Sequence, residues 1–503
     1  MGGSFEASAG PVPDDRVRAT DDAPVRPGAA YVLYWMTAHR RLDRNFALQR
    51  AVERARSLRR PLVVLEALRL GYRWASRRPH AFVAEGMADH RRRLEGSRVL
   101  YYPYLEREPG AGSGLLEALA RGACVVVGDD HPGFFLPRMA RAAAERLDVR
   151  LELVDANGLL PLRAAGRSFA RAQDFRRFLH RELPRHLERF PREHPLAGDP
   201  LPPPPELPAR VLQRWPPATA EELQDARALV RGLPVADRPG PVAVRGGPEA
   251  GGRSLRHFLD DGLPRYAAEA REPAAGATSG LSPYLHFGHV SPHGVFAALA
   301  ERQGWTPDDL GEPSGKRSGW WGMDENAEAF LDQMVTWREM GFLAAAFEED
   351  HDRRSSLPGW ARTTLAEHAG DPRDPLYGPE RFEAADTHDR VWNAAQRQLL
   401  EEGRIHNYLR MLWGKKILHW SESPERAFEV MVELNNRYGV DGRDPNSWSG
   451  ILWVLGKYDR AWGPERPIFG KVRYMTSASA ARKLDLEPYL DRWAPEEPAG
   501  GAR

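Results

Sequence analysis

Closely spaced hydroxyls are the first residues in this chain that could do chemistry. Tyr266 is followed by Thr278-Ser279-Gly280-Leu281-Ser282-Pro283, which combines hydroxyls, a glycine and an expected helix start. Hydroxyls and free backbone N–H groups at a helix N-terminus bind anionic oxygens, because the helix dipole is favourable there. The run is a candidate diphosphate cradle, although the same text also serves as an ordinary helix cap. A second stretch is rich in tryptophan: Trp392-Asn393-Ala394-Ala395-Gln396, then Ile405-His406-Asn407-Tyr408-Leu409-Arg410-Met411-Leu412-Trp413, then Trp420. Arg404 to Trp420 reads as a largely buried helix. Trp413 and Trp420 are two turns apart and share a face, and Asn407, Arg410 and Met411 likewise share a side. Taken singly, each tryptophan is most simply core. Asn407 and Arg410 favour a chemical role, since buried polar groups need partners.

A third stretch runs Leu434-Asn435, then Asp441-Gly442-Arg443-Asp444-Pro445-Asn446, ending in Gly450-Ile451-Leu452-Trp453. Asp444 before Pro445 marks a helix start, with Asp as cap and Pro in the first turn. Asp441 and Arg443 lie just upstream, where they can face a polar ligand. The pyrimidine edge of a flavin requires donors and acceptors, and a positive group favours its reduced anion; Asn, Asp and Arg supply these. A capped turn carrying a surface ion pair is the plainer alternative. Cys124 is the single cysteine, so an internal disulfide is excluded and an iron–sulfur cluster lacks its ligands. Beside Val125, Val126 and Val127 it reads as a buried strand thiol. His286-Phe287-Gly288-His289 has a spacing that could hold a metal but reads as structural, and no metal is expected.

These groups need a scaffold. Apolar runs at Tyr31–Met36, Pro61–Leu65, Val99–Tyr104, Ala123–Gly128 and Val149–Val154 alternate with helical stretches such as Asn45–Arg56 and Ala81–Leu94. That alternation predicts a Rossmann-like α/β domain over residues 29–165, its parallel sheet covered on both faces. No GxGxxG follows the first strand. A ligand can still bind at the carboxyl ends of the strands, with Asp129, Asp130 and His131 as candidates for the rim. Pro202–Pro205 and the Pro/Gly-rich Leu233–Gly252 punctuate an interdomain linker over 166–254. Residues 255–490 read as an all-α domain, residues 1–28 as a disordered tail rich in Gly, Ala, Pro and Asp, and 491–503 as a C-terminal tail. Lys and Arg number 71 against 70 Asp and Glu, a net charge of +1, so nucleic-acid binding requires local clustering of positive charge. With neither a signal peptide nor an apolar run of membrane-spanning length, a cytoplasmic monomer is the default expectation.

In this order and spacing the stretches resemble the photolyase/cryptochrome family, specifically its class II cyclobutane-pyrimidine-dimer photolyases, over nearly the whole chain after the first thirty residues. Val32-Leu33-Tyr34-Trp35-Met36, Phe134-Phe135-Leu136-Pro137-Arg138-Met139 and Asn157-Gly158-Leu159-Leu160-Pro161-Leu162-Arg163 carry the likeness in the N-terminal half. Leu281–Gly288, Trp392–Gln396, Trp413–Trp420, Asp441–Asn446 and Gly470–Met475 carry it in the C-terminal half. The resemblance implies FAD in the helical domain and light-driven repair of UV-damaged DNA, by electron transfer from the excited reduced cofactor to the dimer. It implies that Tyr266, Thr278, Ser279, Gly280, Leu281 and Ser282 bind FAD, the last five around the diphosphate. Arg410 and Asp441 pair beside the ring, Asn435 faces flavin N5, and Asn393 and Arg443 complete the cofactor set. Trp337, Met411 and Trp453 line the dimer pocket. Trp392, Trp413 and Trp420 relay electrons from the surface. An antenna pigment in the N-terminal crevice is also implied, a deazaflavin before a folate.

The chain departs from that pattern where class II enzymes present a pocket glutamate, four residues before the position of Trp337. Here the residue is Gln333. Asp332 is the nearest acid, but a one-residue shift turns it about 100° around an α-helix. Gln333 can hydrogen-bond a thymine carbonyl, yet it cannot donate the acid's proton or hold its charge, so weaker repair is expected. Met340–Glu349 and Gly456-Lys457-Tyr458-Asp459 depart as well, the latter one residue shorter. The rival function is a cryptochrome-like blue-light photoreceptor, which Gln333 favours and the absence of a long segment after Leu490 opposes. A non-photochemical nucleotide-binding protein is the other rival, opposed by the tryptophan spacing.

Overall fold

The computed structural model describes residues 10–20 and 22–494. They fall into two compact units, Met1–Asp260 with Ser279–Phe347, and Asp261–Thr278 with Glu348–Arg503.

The first unit is built on a six-stranded sheet: β1 (Val17–Ala19), β2 (Tyr31–Met36), β3 (Leu62–Leu68), β4 (Val99–Leu105), β5 (Ala123–Asp129) and β6 (Leu151–Val154), in the order β1-β6-β5-β2-β3-β4. All neighbours are parallel except the edge pair β1–β6. The expected α/β architecture is present, and the period-two pattern is the reason. Val32, Tyr34 and Met36 pack with Phe46, Ala47, Ala51 and Ala55 of helix Phe46–Leu58 on one face. Tyr31, Leu33 and Trp35 enter a separate core with Leu115, Leu119 and Trp215 on the other. A register shift between β2 and β5 places Cys124 and Val125 in the same core, as a bulge does. Cys124 is fully buried, and burial raises its thiol pKa.

Two expectations need correction. Residues 10–28 are not a featureless tail: β1 pairs Val17 with Val154. Arg16, 1% exposed, donates to the carbonyls of Asp155, Gly158 and Leu159 at 3.3, 3.2 and 2.6 Å. A buried arginine with backbone partners outweighs a composition poor in large apolar side chains. Residues 1–9 of that stretch lie outside the described residues. Asp129 is not a rim group either. It ends β5 where the strand order reverses against β2, and its Oδ2 accepts the N–H groups of Thr37, Ala38 and His39 at 2.7, 2.7 and 2.9 Å. Its Oδ1 accepts the Tyr34 hydroxyl at 2.8 Å. The concave run of N–H groups that suits an anion at such a switch point is filled by the chain's own carboxylate. Asp130 pairs with Arg18 at 3.0 Å, and His131 packs edge-on against Phe342.

After β6 the first unit becomes helical, including Ala172–Glu182, Pro248–His257 and Pro292–Gln303. His289 is buried, stacks on Phe82 and accepts the Gly247 N–H at 3.0 Å, a structural role. In the second unit, helices Arg390–Glu402, Asn407–Trp420, Pro424–Tyr438 and Pro445–Val454 pack on one another. Asp444 caps the last of these through Asn446 N at 2.8 Å, as its place before Pro445 predicts. The helix expected from Arg404 starts at Asn407, whose side chain is exposed and so needs no buried partner. Helix Glu487–Trp493 enters the expected C-terminal tail, of which 495–503 lie outside the described residues. No described helix is long and apolar enough to cross a membrane.

Candidate functional site

Tyr266 opens the short helix Tyr266–Glu269 in the second unit, and the exposed Thr278 ends that segment. Ser279, Gly280, Leu281 and Ser282 belong to the first unit. Gly280 has φ +63°, a conformation that favours glycine, and Ser279 Oγ accepts Leu281 N–H at 3.3 Å. Ser282 is exposed while Leu281 is buried. The helix that follows, Ser282–His286, is five residues long. The hydroxyls and the tight glycine turn, more than a helix dipole, are what the run can offer a phosphate.

In the second unit the tight loop after helix Pro424–Tyr438 brings Asp441 to Arg410. A Cβ at Gly439 or Gly442 would stand 2.7 Å from the Asn435 carbonyl, so the loop folds back hard on the helix end. Arg410 Nη2 lies 3.8 Å from Asp441 Oδ2, a loose pair, and the buried Arg410 Nε has no hydrogen-bond partner among the described residues. Asn435 is 3% exposed and donates to Asn436 Oδ1 at 3.0 Å. A cation with an open donor beside a loosely held carboxylate suits the polar edge of an isoalloxazine ring, so these residues fit FAD. Two expected cofactor residues also hold nearby backbone. Arg443, at φ +74°, gives Nη1 to Asn436 O at 2.7 Å and Nη2 to Val440 O at 3.1 Å, capping carbonyls at a helix end. Asn393 accepts from Thr387 N and Oγ1 and donates to Thr387 O, at 3.0, 2.7 and 2.8 Å, which holds the turn before its own helix.

The three tryptophans come together. Trp392, Trp413 and Trp420 are each at most 2% exposed. Trp392 is the middle member: its Nε1–H donates to Trp413 O at 3.0 Å, and its ring lies 6.1 Å from that of Trp420. Gln396, fully buried, accepts Trp413 Nε1–H at 2.9 Å. Its position one turn after Trp392 was the available signal for that role. Trp420 is itself buried, and beyond it stands Tyr377, edge-on at 5.6 Å. The Tyr377 hydroxyl accepts His388 N–H at 3.1 Å and shares a hydrogen bond with His388 Nδ1 at 2.7 Å, whose direction follows the imidazole tautomer. His388 is exposed. Nothing in the local sequence marks Tyr377, because its link to Trp420 is a long-range contact. Lys416 Nζ lies 5.0 Å over the Trp420 ring and 3.3 Å from Asp389.

The expected dimer-pocket residues divide between the units. Gln333 and Trp337 belong to the first, Met411 and Trp453 to the second. All four are half-buried. Trp453 meets Tyr458 edge-on at 6.4 Å, and Tyr458, at φ +64°, lies 3.4 Å from Ser449 Oγ. Lys457 anchors the same loop through Glu348 and Ser356, at 2.7 and 3.1 Å, so the departing loop Gly456–Asp459 sets Tyr458 beside Trp453. Lys415 Nζ, buried, donates to Val454 O at the end of the Trp453 helix, and burial pulls its pKa down to about 7. Gln333 and Trp337 lie on a π-helical turn, Asp332–Trp337, whose other members are buried. Asp332, the acid beside Gln333, is 3% exposed and held by Arg176 and Arg317.

No family model matches the chain. Curated relatives match along most of its length. A deoxyribodipyrimidine photo-lyase of Methanothermobacter thermautotrophicus is 33% identical over 465 residues, covering 92% of this chain and 94% of the relative. One from Oryza sativa subsp. japonica is 32% identical over 499 residues, covering 94% and 89%. Among solved structures, a bacterial class III photolyase from Agrobacterium tumefaciens superposes with a TM-score of 0.62 at 18% identity, over 92% of this chain and 86% of that one. The structural likeness speaks for the fold, a mainly parallel sheet followed by helices, and the sequence likeness speaks for descent. On these grounds the chain belongs to the photolyase/cryptochrome family, grouping there with the deoxyribodipyrimidine photo-lyases.

Proposed function

We propose that this chain is a class II photolyase that splits cyclobutane pyrimidine dimers in UV-damaged DNA under light, as a cytoplasmic monomer. The observation that carries the reading is the buried run Trp413–Trp392–Trp420, which starts one helical turn from Arg410 and continues to the Tyr377–His388 pair. FAD, when bound, supplies light absorption and the electron that opens the cyclobutane ring. Arg410, Asp441 and Asn435 hold its ring edge, and Tyr266, Thr278, Ser279, Gly280, Leu281 and Ser282 hold the diphosphate side. Trp337 of the first unit, and Met411 and Trp453 of the second, each offer apolar surface to an extruded pyrimidine pair, which costs less to unstack when damaged. Exposed basic groups such as Lys316 and Arg317 contact phosphate.

Were bound FAD to be photoreduced, the tryptophans would carry electrons inward and the vacancy would move outward. Trp420 lies beside the Lys416–Asp389 ion pair, with Tyr377 next in line toward the surface. Oxidised Tyr377 would give its hydroxyl proton to His388 Nδ1 where that nitrogen is unprotonated, and an external thiol or other one-electron reductant would refill it. A second chromophore, deazaflavin before folate, is assigned to the carboxyl ends of the strands. There Tyr72, Trp74, Phe134 and Phe135 form a partly exposed aromatic cluster with Arg69 and Arg73 against it.

Gln333 donates an amide hydrogen to a pyrimidine carbonyl but has no carboxyl proton to give. Gln333→Glu is therefore expected to raise dimers split per absorbed photon by about two- to tenfold, below the ~10²-fold of full acid catalysis; a fall in yield would remove Gln333 from the pocket. The same glutamine is the feature that favours the photoreceptor reading. To separate the two, the purified protein is examined for FAD absorption and mixed with a dimer-containing oligonucleotide, then assayed by gel shift before and after illumination. Repair requires flavin bands, a shift specific to dimer DNA and its loss on illumination. Flavin without that shift makes the chain a photoreceptor, and a colourless protein ends both readings.

A further inference from the structure

We propose that Arg176, locked by Asp332, is a positioning residue for Trp337; the inference rests on reading Trp337 as a wall of the dimer pocket. Trp337 ends the π-helical turn Asp332–Trp337 and Asp332 begins it. Such turns are rare and persist where their surroundings hold them, often at functional sites. Here one side chain reaches both ends of the turn. Arg176, on helix Ala172–Glu182, donates Nε to Asp332 Oδ1 at 2.8 Å and Nη2 to Asp332 Oδ2 at 3.1 Å. The same guanidinium carbon lies 5.9 Å from the centroid of the Trp337 ring.

Two parallel hydrogen bonds fix the plane of a guanidinium, which a lysine cannot reproduce. A ring 5.9 Å from that fixed cation feels a charge whose position does not wander. The pair is also sheltered: side-chain exposure is 11% for Arg176 and 3% for Asp332. Arg317 reaches the same carboxylate from the solvent side at 3.3 Å, itself 57% exposed. Two guanidiniums on one carboxylate leave a net positive charge at this end of the turn, and Arg176 brings it within 5.9 Å of the Trp337 ring centroid, the sign that favours a π system. Trp337 therefore meets its ligand as a preset surface, not as a mobile indole that must be ordered on binding.

The test uses the full-length holoprotein with isotope-labelled tryptophan. The Trp337 indole signal in proton–nitrogen correlation spectra is identified by its loss in Trp337→Phe. Arg176→Lys and Asp332→Asn should both shift or broaden that signal, and both should reduce the preference for dimer-containing over intact oligonucleotide by about tenfold. Added to Trp337→Ala, which has already lost the ring, Arg176→Lys should remove no further preference. An unmoved indole signal, or losses that multiply in the double variant, overturns the inference. If the wild type shows no preference for dimer DNA, the proposed function fails instead, and the indole signal alone decides whether Arg176 sets the ring.

Discussion

Exchanging Trp392 for phenylalanine is expected to slow photoreduction of bound FAD by at least about a hundredfold, equivalent to ~2.7 kcal/mol on the barrier, while chemically reduced protein still repairs dimers. Trp392 is the residue through which the other two tryptophans are joined: it donates to Trp413 O and places its ring 6.1 Å from Trp420. Phenylalanine keeps an aromatic filler in that slot but is far harder to oxidise, so the relay is cut at its centre. The loss of volume at a fully buried position should cost about 1–3 kcal/mol of stability, small enough for the fold to survive. The check is the decay of oxidised-flavin absorbance under blue light with an external reductant, next to repair yield after chemical reduction. Loss of repair in the chemically reduced variant would mean that the slot matters for packing around the cofactor, and undiminished photoreduction would mean that electrons enter elsewhere. Tyr377→Phe gives a milder comparison, because the buried relay stays intact and only the outlet toward His388 is lost.

Local signals in the sequence announced the scaffold; long-range hydrogen bonds decided the details. The alternation in Tyr31–Met36 could be read directly, because a parallel strand buried on both faces needs apolar residues of both parities, and both cores take them. Asp444-Pro445 announced a helix start that the structure contains. β1 escaped notice because three residues on a sheet edge carry almost no periodicity, and the burial of Arg16 beneath them depends on carbonyls more than a hundred residues away. The same limit applies to the site. Spacing brought Trp413 and Trp420 to one helix, but the middle position of Trp392, the support of Gln396 and the outlet at Tyr377 lie between segments. Arg443 and Asn393 show the converse limit: polar residues in a promising string also satisfy nearby backbone, which their spacing does not announce. Asn407, which would need a partner if buried within a helix from Arg404, instead begins that helix with its side chain exposed.

Removing the Asp129 carboxylate should destabilise the first unit by about 3–5 kcal/mol, as expected when buried partners of a charge are left unpaired. Its two oxygens accept four hydrogen bonds, three of them from consecutive N–H groups that have no strand or helix to pair with. Asp129→Ala leaves Thr37, Ala38 and His39 with unpaired donors at the centre of the sheet's carboxyl edge. Asp129→Asn should cost less, about 2 kcal/mol, because its carbonyl oxygen still accepts while the charge assistance is lost. Burial, reinforced by the Asp129 charge, keeps the Tyr34 phenol well above its usual pKa, so Tyr34 remains a donor throughout the working pH range. Urea unfolding followed through the first unit gives the magnitude. The cause is tested separately: acetate or phosphate at millimolar concentration should recover part of the stability of Asp129→Ala, since the vacated N–H groups form a ready anion site, and should do nothing for the wild type, whose own carboxylate occupies it. A loss below about 1 kcal/mol would show that water can satisfy those donors. Absence of anion rescue alongside the full loss would show that Asp129 acts through Tyr34 and the packing of β2 rather than through the three N–H groups.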